Sequence, residues 1–535
     1  MIRRGSPLLG LVAVVLACAD RPAGAPGAGV RPDTGGTAVI ALKTDLDAAN
    51  FLVSADGVTH DVLRNVLFVT LIRYSKELGY EPMLAQSFEL QGDTAVVFHL
   101  RRDVRWHDQT PTTAHDVAFT FQRAADPATA FPNADWLVGW GAPQVLDSFT
   151  VRFALERMAD PLASVAQFPI MPKHLLESVP AAQMQQAEFN KKPVGNGPFR
   201  FVEYRANDRW VFESNPDYPA ELGGRPNLGR LVLRVVPDVT AQVAELRAGN
   251  LQLALKVPVD QYKQLAVDSS FQGIVRQGRQ YAFIPWNAKR PPLSDARVRR
   301  ALTLAIDRKE ISDVMHGGMG DLVHGPIGRY HWAYDRELQT LPFNPDSARA
   351  LLRAAGLTDR DQDGMFELPN GKPFKLELKV PANITTMLNM AEMVRADIVK
   401  VGITATIRPL DFATLSEQLT GQDRSFDAAL MGWENDLRLN FRDMFHSAAL
   451  TGPYQFASFR NATADSLIDA ASALPSPELA RPIWLRFQQV LHEQQPWTVL
   501  YAYPELYIRS ERLQGVEMDI RGAFLSVGEW WIQKH

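Results

Sequence analysis

The residues with the clearest capacity to bind a charged ligand follow a short apolar stretch near position 430. Trp433 offers a flat apolar wall, and Asp436 places a carboxylate three residues further along. A carboxylate in a partly desolvated cleft can pair with an ammonium group through a charge-assisted hydrogen bond. In the competing interpretation, Trp433 is a core residue and Asp436 is an exposed acid or the ion-pair partner of Arg438. The residue types alone favour this second interpretation.

The elements before this stretch predict the sheet that positions it. Between residues 374 and 431, segments with strand and helix patterns alternate in the order β-α-β-α-β. This order predicts a mostly parallel sheet covered by helices. Ligands bind such sheets beyond the carboxyl ends of the strands. The last strand is predicted over 426–431, so residues 432–436 would lie immediately beyond it.

A second informative stretch lies between residues 84 and 123. Alternation over residues 95–100 predicts a half-buried strand, and Thr113 with Asp116 predicts the capped start of a helix. A polar turn around a tryptophan joins the two. The residues of this stretch whose identity and spacing are most specific are Arg101, Val104, Trp106, His107, Asp108, Pro111, Thr113, Ala114, Asp116 and Val117.

These residues resemble the signature of the family 5 extracytoplasmic solute-binding proteins, the peptide- and nickel-type receptors of ABC importers. The family usually has Asp-Gly at the turn, and this chain has Asp108-Gln109. Because glycine tolerates positive φ at little cost, Gln109 either takes a mildly strained turn or the turn differs. Residues 193–199 (PVGNGPF) resemble a second hallmark of the family, for which a structural turn is favoured. The resemblance extends from residue 37 to the C terminus.

The resemblance implies an α/β, two-lobe periplasmic-binding-protein fold of the large class, hinged by two crossing segments. Lobe I is predicted to contain residues 37–287 and 503–535, with an inserted sublobe at about 76–195. Lobe II is predicted to contain residues 288–502. The length of 535 residues agrees with more than one lobe, because such a chain exceeds what one compact core usually accommodates.

The resemblance also implies a ligand site. In peptide-binding members of the family, a Trp-x-x-Asp contributes the aspartate that holds the free α-amino group of the peptide. Asp436 falls on that position, so the predicted ligand-binding residues are Asp436, Trp433, Asn435 and Arg438. The continuation 437–440 (LRLN) departs from the family's usual Asp-Pro and Asn. Arg438 could repel a cationic ligand or meet a carboxylate, and the sequence leaves both open.

The N terminus predicts an exported, lipid-anchored protein. A positively charged start and an apolar run too short to span a bilayer fit a signal peptide of residues 1–17. The Val-Leu-Ala that precedes Cys18 resembles a bacterial lipobox, which makes Cys18 the predicted lipidation site. The alternative is a plain signal peptide followed by an incidental cysteine. Residues 18–36, rich in Ala, Gly and Pro, predict a flexible tether.

Other functional classes find little support. A net charge of −4 without a basic stripe argues against nucleic-acid binding. The sequence has no Gly-x-Ser-x-Gly elbow and no complete His-Glu-x-x-His motif, so no catalytic residue is predicted. The acidic turn 359–364 imitates the start of a calcium loop, but its twelfth position is Asn370 instead of a bidentate Glu. A solvated acidic turn is favoured, and neither a metal nor a cofactor is predicted.

Taken together, these observations predict the extracytoplasmic substrate-binding component of an ABC importer, which captures oligopeptides between two lobes. The predicted partners are the peptide or other small solute, a permease and ATPase complex, and the membrane through the lipid anchor. The protein is predicted to be a monomer. The alternative ligands are a nickel chelate, an oligosaccharide or another amphipathic solute. The alternative functions are a peptide-sensing receptor and, with least support, a secreted hydrolase.

Overall fold

The computed structural model describes residues 34–156, 160–421, 423–474 and 476–534. The predicted signal peptide, Cys18 and all but the last three residues of the predicted tether lie outside the described residues. Across the described ranges, no helix combines the length and the apolar character needed to cross a membrane.

In chain order, the strands are β1 (Thr37–Leu42), β2 (Ile72–Tyr74), β3 (Tyr80–Pro82), β4 (Ala85–Gln91), β5 (Ala95–Leu100), β6 (Trp140–Asp147), β7 (Thr150–Leu155), β8 (Phe199–Arg205), β9 (Arg209–Ser214), β10 (Arg230–Val235), β11 (Leu253–Ala254), β12 (Phe271–Pro285), β13 (Lys375–Pro381), β14 (Thr404–Leu410), β15 (Ala428–Ala429), β16 (Met431–Glu434), β17 (Trp497–Ser510), β18 (Leu513–Gln514) and β19 (Trp531–Ile532).

The helices are numbered in the same way. The α-helices are α1 (Gly57–Val62), α2 (Ala114–Ala125), α3 (Leu162–Val165), α4 (Lys173–Leu176), α5 (Val239–Arg247), α6 (Val259–Ala266), α7 (Ala296–Ala305), α8 (Arg308–His316), α9 (Pro345–Ala354), α10 (Thr385–Lys400), α11 (Phe412–Thr420), α12 (Arg442–Phe445), α13 (Ala462–Ser472) and α14 (Pro477–Gln494). A π-helical turn, Leu63–Leu67, continues α1. Short 3-10 turns are Pro127–Thr129, Ala134–Leu137, Ala181–Gln186, Glu188–Asn190, Ala220–Leu222, Ser447–Ala449 and Val527–Glu529.

The largest sheet of the described residues has eight strands in the order β16-β12-β17-β11-β1-β10-β9-β8. Within it, β1 runs parallel to both of its neighbours, β10 and β11. Residues 40–42 of β1 are buried without alternation, as expected for a strand covered on both faces. A separate four-stranded antiparallel sheet, β4-β5-β7-β6, lies within the range predicted for the sublobe. The strand predicted over 95–100 is present as β5, but it is buried on both faces instead of one, with only His99 exposed. Thr113 and Asp116 form the predicted capping box of α2.

The β-α-β-α-β unit predicted between residues 374 and 431 is present as β13, α10, β14, α11 and β15. In this unit β13 runs parallel to both β14 and β15. The prediction of one continuous strand over 426–431 was wrong. The strand β15 ends at Ala429, and after Leu430 the chain changes partner and joins β12 of the large sheet as β16. Consequently Gly432 to Glu434 lie within a strand, and the turn beyond it begins at Asn435.

Two long strands, β12 and β17, cross the molecule side by side. They pair antiparallel over most of their length, with the register interrupted between Gln277 and Tyr281 of β12. On one side of the interruption the ribbon packs with β1, α5 and α6, and on the other side it packs with α7, α10 and β13. The ribbon therefore joins two separately packed lobes. We propose that the lobes meet at this interruption. On β17 it falls at residues 502–504, close to the predicted boundary at 503. On β12 it falls at residues 277–281, before the predicted boundary at 287.

The two signature turns pack against each other and against the end of the π-helical turn. The carbonyl of Leu67 accepts the N–H of Gly197 at 2.9 Å. A Cβ on Gly195 would lie 2.0 Å from the same oxygen. His107 completes the unit, since its Nε2 donates to the carbonyl of Gly197 at 3.0 Å and its Nδ1 accepts the N–H of Gly195 at 3.2 Å. These signature residues therefore have a structural role, which is to hold the π-helical turn Leu63–Leu67.

Gln109 adopts the left-handed conformation, with φ of +76°. A side chain in this region costs roughly 1 kcal/mol or more. Gln109→Gly should therefore raise the free energy of unfolding by about 0.5–1 kcal/mol, after allowance for the greater flexibility of glycine in the unfolded chain. Urea denaturation would measure the change. Gln109→Ala is the matched control, because it removes the amide contact with Asp217 but keeps the backbone strain. A Gly variant less stable than wild type would contradict this account.

Candidate ligand-binding site

The loop that carries the predicted ligand residues begins where β16 ends. Glu434 pairs with Gln280 of β12 as the last residue of the strand. The backbone N–H of Asn435 then donates to the carbonyl of Arg279 at 3.2 Å, and its side-chain amide donates to the carbonyl of Pro326. These bonds hold the start of the loop to both the long ribbon and a neighbouring loop. The amide of Asn435 thus positions the backbone of the loop.

All four predicted ligand-binding residues lie at one cavity. Trp433, Asn435, Asp436 and Arg438 line a solvent-open space of about 680 Å³ together with Tyr330. Trp433 is half-buried and packs edge-on against two aromatic residues of lobe II, with centroid separations of 5.4 and 6.1 Å. It therefore has both of the roles that the sequence offered, because it packs against a hydrophobic core that includes Phe456 and Trp484 and also lines the cavity.

Asp436 is half-buried and is held by neutral donors. Its Oδ1 accepts the backbone N–H of Leu437 at 2.6 Å and the Nε2 amide of Gln167 at 3.4 Å. Within the described ranges, no Lys, Arg or His forms an ion pair with this carboxylate, so Arg438 is not its partner. The carboxylate is therefore able to accept a cationic group from a ligand in the cavity.

Two residues that the sequence analysis did not single out complete this region. The Nη1 of Arg64, on the π-helical turn, donates to Oε1 of Gln167 at 3.0 Å. Gln167 is only 6% exposed and thus joins Arg64 to Asp436. Burial lowers the pKa of Arg64, which the nearby Asp61 and Asp436 carboxylates oppose. No motif in the sequence marks either Gln167 or Arg64.

Gln167 and Arg64 line a second cavity, of about 920 Å³. Charged residues from the ribbon line it, and most of them are paired. Arg276 forms an ion pair with Glu505, and Arg279 forms one with Glu434 at 2.7 Å. The cleft between the lobes is therefore rich in positive charge that is largely compensated by neighbouring acids.

In the acidic turn predicted at 359–364, the three aspartates are joined by one further acid, Glu367. Oxygens of Asp359, Asp361, Asp363 and Glu367 lie within 4.8 Å of one another. All four of these carboxylates accept backbone N–H groups of the same turn, including that of Arg360, which donates to Glu367 at 2.9 Å. Such hydrogen bonds between side chains and backbone are typical of an acidic turn, which is the interpretation that the sequence favoured. None of the four acids lines either of the two cavities at Asp436 and Gln167.

His331 holds the loop that carries Asp436 through a hydrogen bond to the next residue. Its Nε2 donates to the carbonyl of Leu437 at 3.0 Å, and its Nδ1 accepts the N–H of Ala333 at 3.1 Å. Both ring nitrogens are thus satisfied only in the neutral form. Burial lowers the pKa of His331 to about 4, below its usual value near 6.5.

We therefore expect His331 to make stability depend on pH. Its contribution is fully present above pH 6.5 and is lost as the pH falls through 4, because the unfolded chain takes up the proton first. The loss amounts to about 3 kcal/mol at 1.36 kcal/mol per pKa unit. In His331→Asn, which keeps an acceptor for Ala333, the deficit in unfolding free energy should shrink between pH 7 and pH 4. Urea titrations of both proteins measure it, and a pH-independent deficit would contradict the assignment.

The fold and the cleft are those of a solute-binding protein, and comparison with known proteins establishes the family. The family model "Bacterial extracellular solute-binding proteins, family 5 Middle" matches residues 79–445. The chain therefore belongs to the family 5 bacterial extracellular solute-binding proteins. It is 29% identical over 511 residues to the oligopeptide-binding protein AppA of Bacillus subtilis. This match covers 94% of this chain and 93% of AppA. It is 28% identical to heme-binding protein A of Haemophilus influenzae, with coverage of 83% and 82%.

Solved structures agree with this assignment. AppA from Bacillus subtilis in complex with a nonapeptide has a TM-score of 0.71 at 28% identity, covering 94% of this chain and 100% of that chain. HbpA2 from Haemophilus parasuis has a TM-score of 0.82 at 22% identity, with coverage of 93% and 100%, and shows the fold alone. The family and the two-lobe α/β fold class predicted from the sequence are thus confirmed.

Proposed function

We propose that this protein captures oligopeptides between its two lobes, with Asp436 binding the free α-amino group of the peptide. The observation that carries the proposal is the half-buried carboxylate of Asp436, which lines a cavity and accepts only neutral donors among the described residues. A ligand ammonium would supply the missing counter-charge. The relative AppA, named for oligopeptide binding, supports the same ligand class.

The position of β16 supports a peptide over a compact solute. This strand is the edge of the eight-stranded sheet, and Gly432 and Glu434 are exposed. An edge strand can pair with an extended ligand through its free N–H and C=O groups. In an antiparallel pairing, the amino end of the ligand lies beside the carboxyl end of β16. Asp436 follows that end by two residues, so ligand direction and charge anchor agree.

The experiment that tests the ligand class is mass spectrometry of small molecules released from gently purified protein by denaturation. Peptides with free amino ends would establish the proposed ligand. A non-peptide compound would keep the family and overturn the ligand, and the similarity to heme-binding protein A makes heme the first such compound to test. If nothing is released, thermal-shift screening with peptides and with heme follows, since a specific binder must raise the melting temperature.

Membership of an extracellular solute-binding family supports a role in delivery. The peptide would pass from the closed lobes to a membrane permease driven by an ATPase. Hinge closure about the β12–β17 ribbon would trap the ligand during transfer. A sensing receptor without transport is the second function compatible with the same binding chemistry. Co-purification of the protein with permease components would favour delivery.

We further propose that the protein is held to the membrane by a lipid on Cys18, which lies outside the described residues. Cys18→Ala should abolish incorporation of labelled palmitate, because the thiol is the attachment point. The variant should also partition into the aqueous phase of a detergent extraction once its leader is removed. Retained lipid label in the variant would refute lipidation at this residue. Asp436→Asn, which leaves the N terminus intact, serves as the labelled control.

A further inference from the structure

The carboxamide of Gln167 lies between two groups of opposite charge from the two lobes. Its oxygen accepts from the guanidinium of Arg64 at 3.0 Å, and its nitrogen donates to the carboxylate of Asp436 at 3.4 Å. Gln167 therefore supplies Arg64 with a hydrogen-bond acceptor, as a carboxylate would. It supplies Asp436 with a hydrogen-bond donor, as an ammonium group would. In both positions the substitute is neutral, so neither charge is compensated by this contact.

Arg64 differs from three other arginines of the cleft. Arg276 pairs with Glu505, Arg279 with Glu434, and Arg521 with Asp519. Over the part of the chain that the structure describes, Arg64 has no ion pair with a carboxylate. The nearby Asp61 is instead bonded to the side chain of Asn65 and to a backbone N–H. A largely buried guanidinium in no direct ion pair is only partly compensated by the nearby Asp61 and Asp436 carboxylates, so an anion from outside the chain would be bound well at this position.

We propose that the carboxamide of Gln167 occupies the position of a ligand that carries an ammonium group and a carboxylate close together. Asp436 binds the ammonium group of this ligand, and Arg64 binds its carboxylate. This inference rests on the proposed peptide-binding function and deepens it. The two hydrogen bonds and the single carboxamide between them put Arg64 Nη1 and Asp436 Oδ1 at most about 9 Å apart. At roughly 3.3–3.6 Å per extended residue, only a carboxylate near the amino end of the ligand reaches both groups.

Two kinds of peptide have this chemistry. One is a longer peptide whose first or second residue has an acidic side chain, and the other is a dipeptide, whose α-carboxylate lies only one peptide bond beyond the residue that carries the amino group. Arg438 is the competing cation, because it lines the same cavity as Asp436. However, among the described residues it makes no hydrogen bond with Gln167, whereas Arg64 donates to Gln167 directly. The geometry therefore assigns the carboxylate to Arg64.

The test compares matched ligands by isothermal titration calorimetry. Asp-Ala-Ala-Ala is paired with Asn-Ala-Ala-Ala, and Ala-Ala is paired with its C-terminal amide. We expect the wild-type protein to bind at least one acidic member about tenfold or more tightly than its neutral partner, the size of a hydrogen bond to a charged group. The pair that shows the preference identifies the source of the carboxylate. Arg64→Gln should remove the preference but retain binding of the neutral member through Asp436.

Controls separate Arg64 from a general loss of charge. Arg395→Gln removes an exposed arginine that pairs with Glu392 on α10, and should leave the preference unchanged. Arg438→Gln, at a residue that lines the same cavity as Asp436, tests the competing cation directly. If Arg64→Gln fails to fold, Gln167→Glu provides a nearly isosteric second variant. Its carboxylate would occupy Arg64 from within the chain, so binding of the acidic member should fall to that of the neutral one.

The outcomes distinguish this inference from the function on which it rests. Equal binding of acidic and neutral members by wild type, still dependent on Asp436, overturns the role of Arg64 but leaves peptide capture standing. A preference lost in Arg438→Gln but kept in Arg64→Gln also overturns it. If no peptide binds while another solute does, both the proposed function and this inference are wrong.

Discussion

Asp436→Asn should weaken binding of a peptide with a free amino end by about 2–5 kcal/mol, the range for truncating one partner of a desolvated charge pair. This corresponds to a dissociation constant raised from about 30-fold to several thousand-fold. The substitution is nearly isosteric and keeps an acceptor for Leu437 N–H, so the loop should retain its shape. The effect should therefore lie in ligand affinity, with little change in stability. Calorimetric titration with one peptide measures it.

N-acetylation of the peptide tests the same contact from the ligand side. The wild-type protein should lose a comparable amount of affinity for the acetylated peptide, and Asp436→Asn should lose little further. This non-additivity is expected for two changes that remove one interaction. Asp443→Asn, at an exposed acid on α12, controls for the altered net charge. Equal binding of free and acetylated peptides by the wild type would remove Asp436 as the anchor.

Gly195→Ala should lower the free energy of unfolding by at least about 4 kcal/mol. The added Cβ would lie 2.0 Å from the carbonyl oxygen of Leu67, a backbone atom at the end of the π-helical turn. Relief requires the backbone to move, and overpacking of this severity is among the most destabilising single changes. The movement would also break the bonds of His107 to both signature glycines.

Gly57→Ala is the matched control for this substitution. Gly57 begins α1, and a Cβ there would meet nothing within 4 Å. Alanine is the better helix former, so Gly57→Ala should leave stability unchanged or raise it by up to about 1 kcal/mol. Urea denaturation of both variants measures the contrast. A Gly195→Ala protein as stable as wild type would show that the two turns do not pack as described.

The family and the fold class were predicted from short sequence motifs and from hydrophobic periodicity. The capping box at Thr113, the strand β5 and the β13–β15 unit each depend on residues a few positions apart, whose spacing is read directly from the backbone periodicities of helix and strand. Asp436 was predicted by resemblance, since its residue type alone favoured an exposed acid. The end of β15 was missed because an apolar run does not show which sheet a strand will join.

The sequence by itself therefore determined the family, the two-lobe fold class and the position of the predicted anchor. Only the tertiary structure decided that Gln109 takes the left-handed conformation and that Gln167 joins Arg64 to Asp436. Gln167 lies 103 residues from Arg64 and 269 from Asp436. Local periodicity cannot encode such a meeting, because it depends on how two separately packed cores are set against each other by the β12–β17 ribbon.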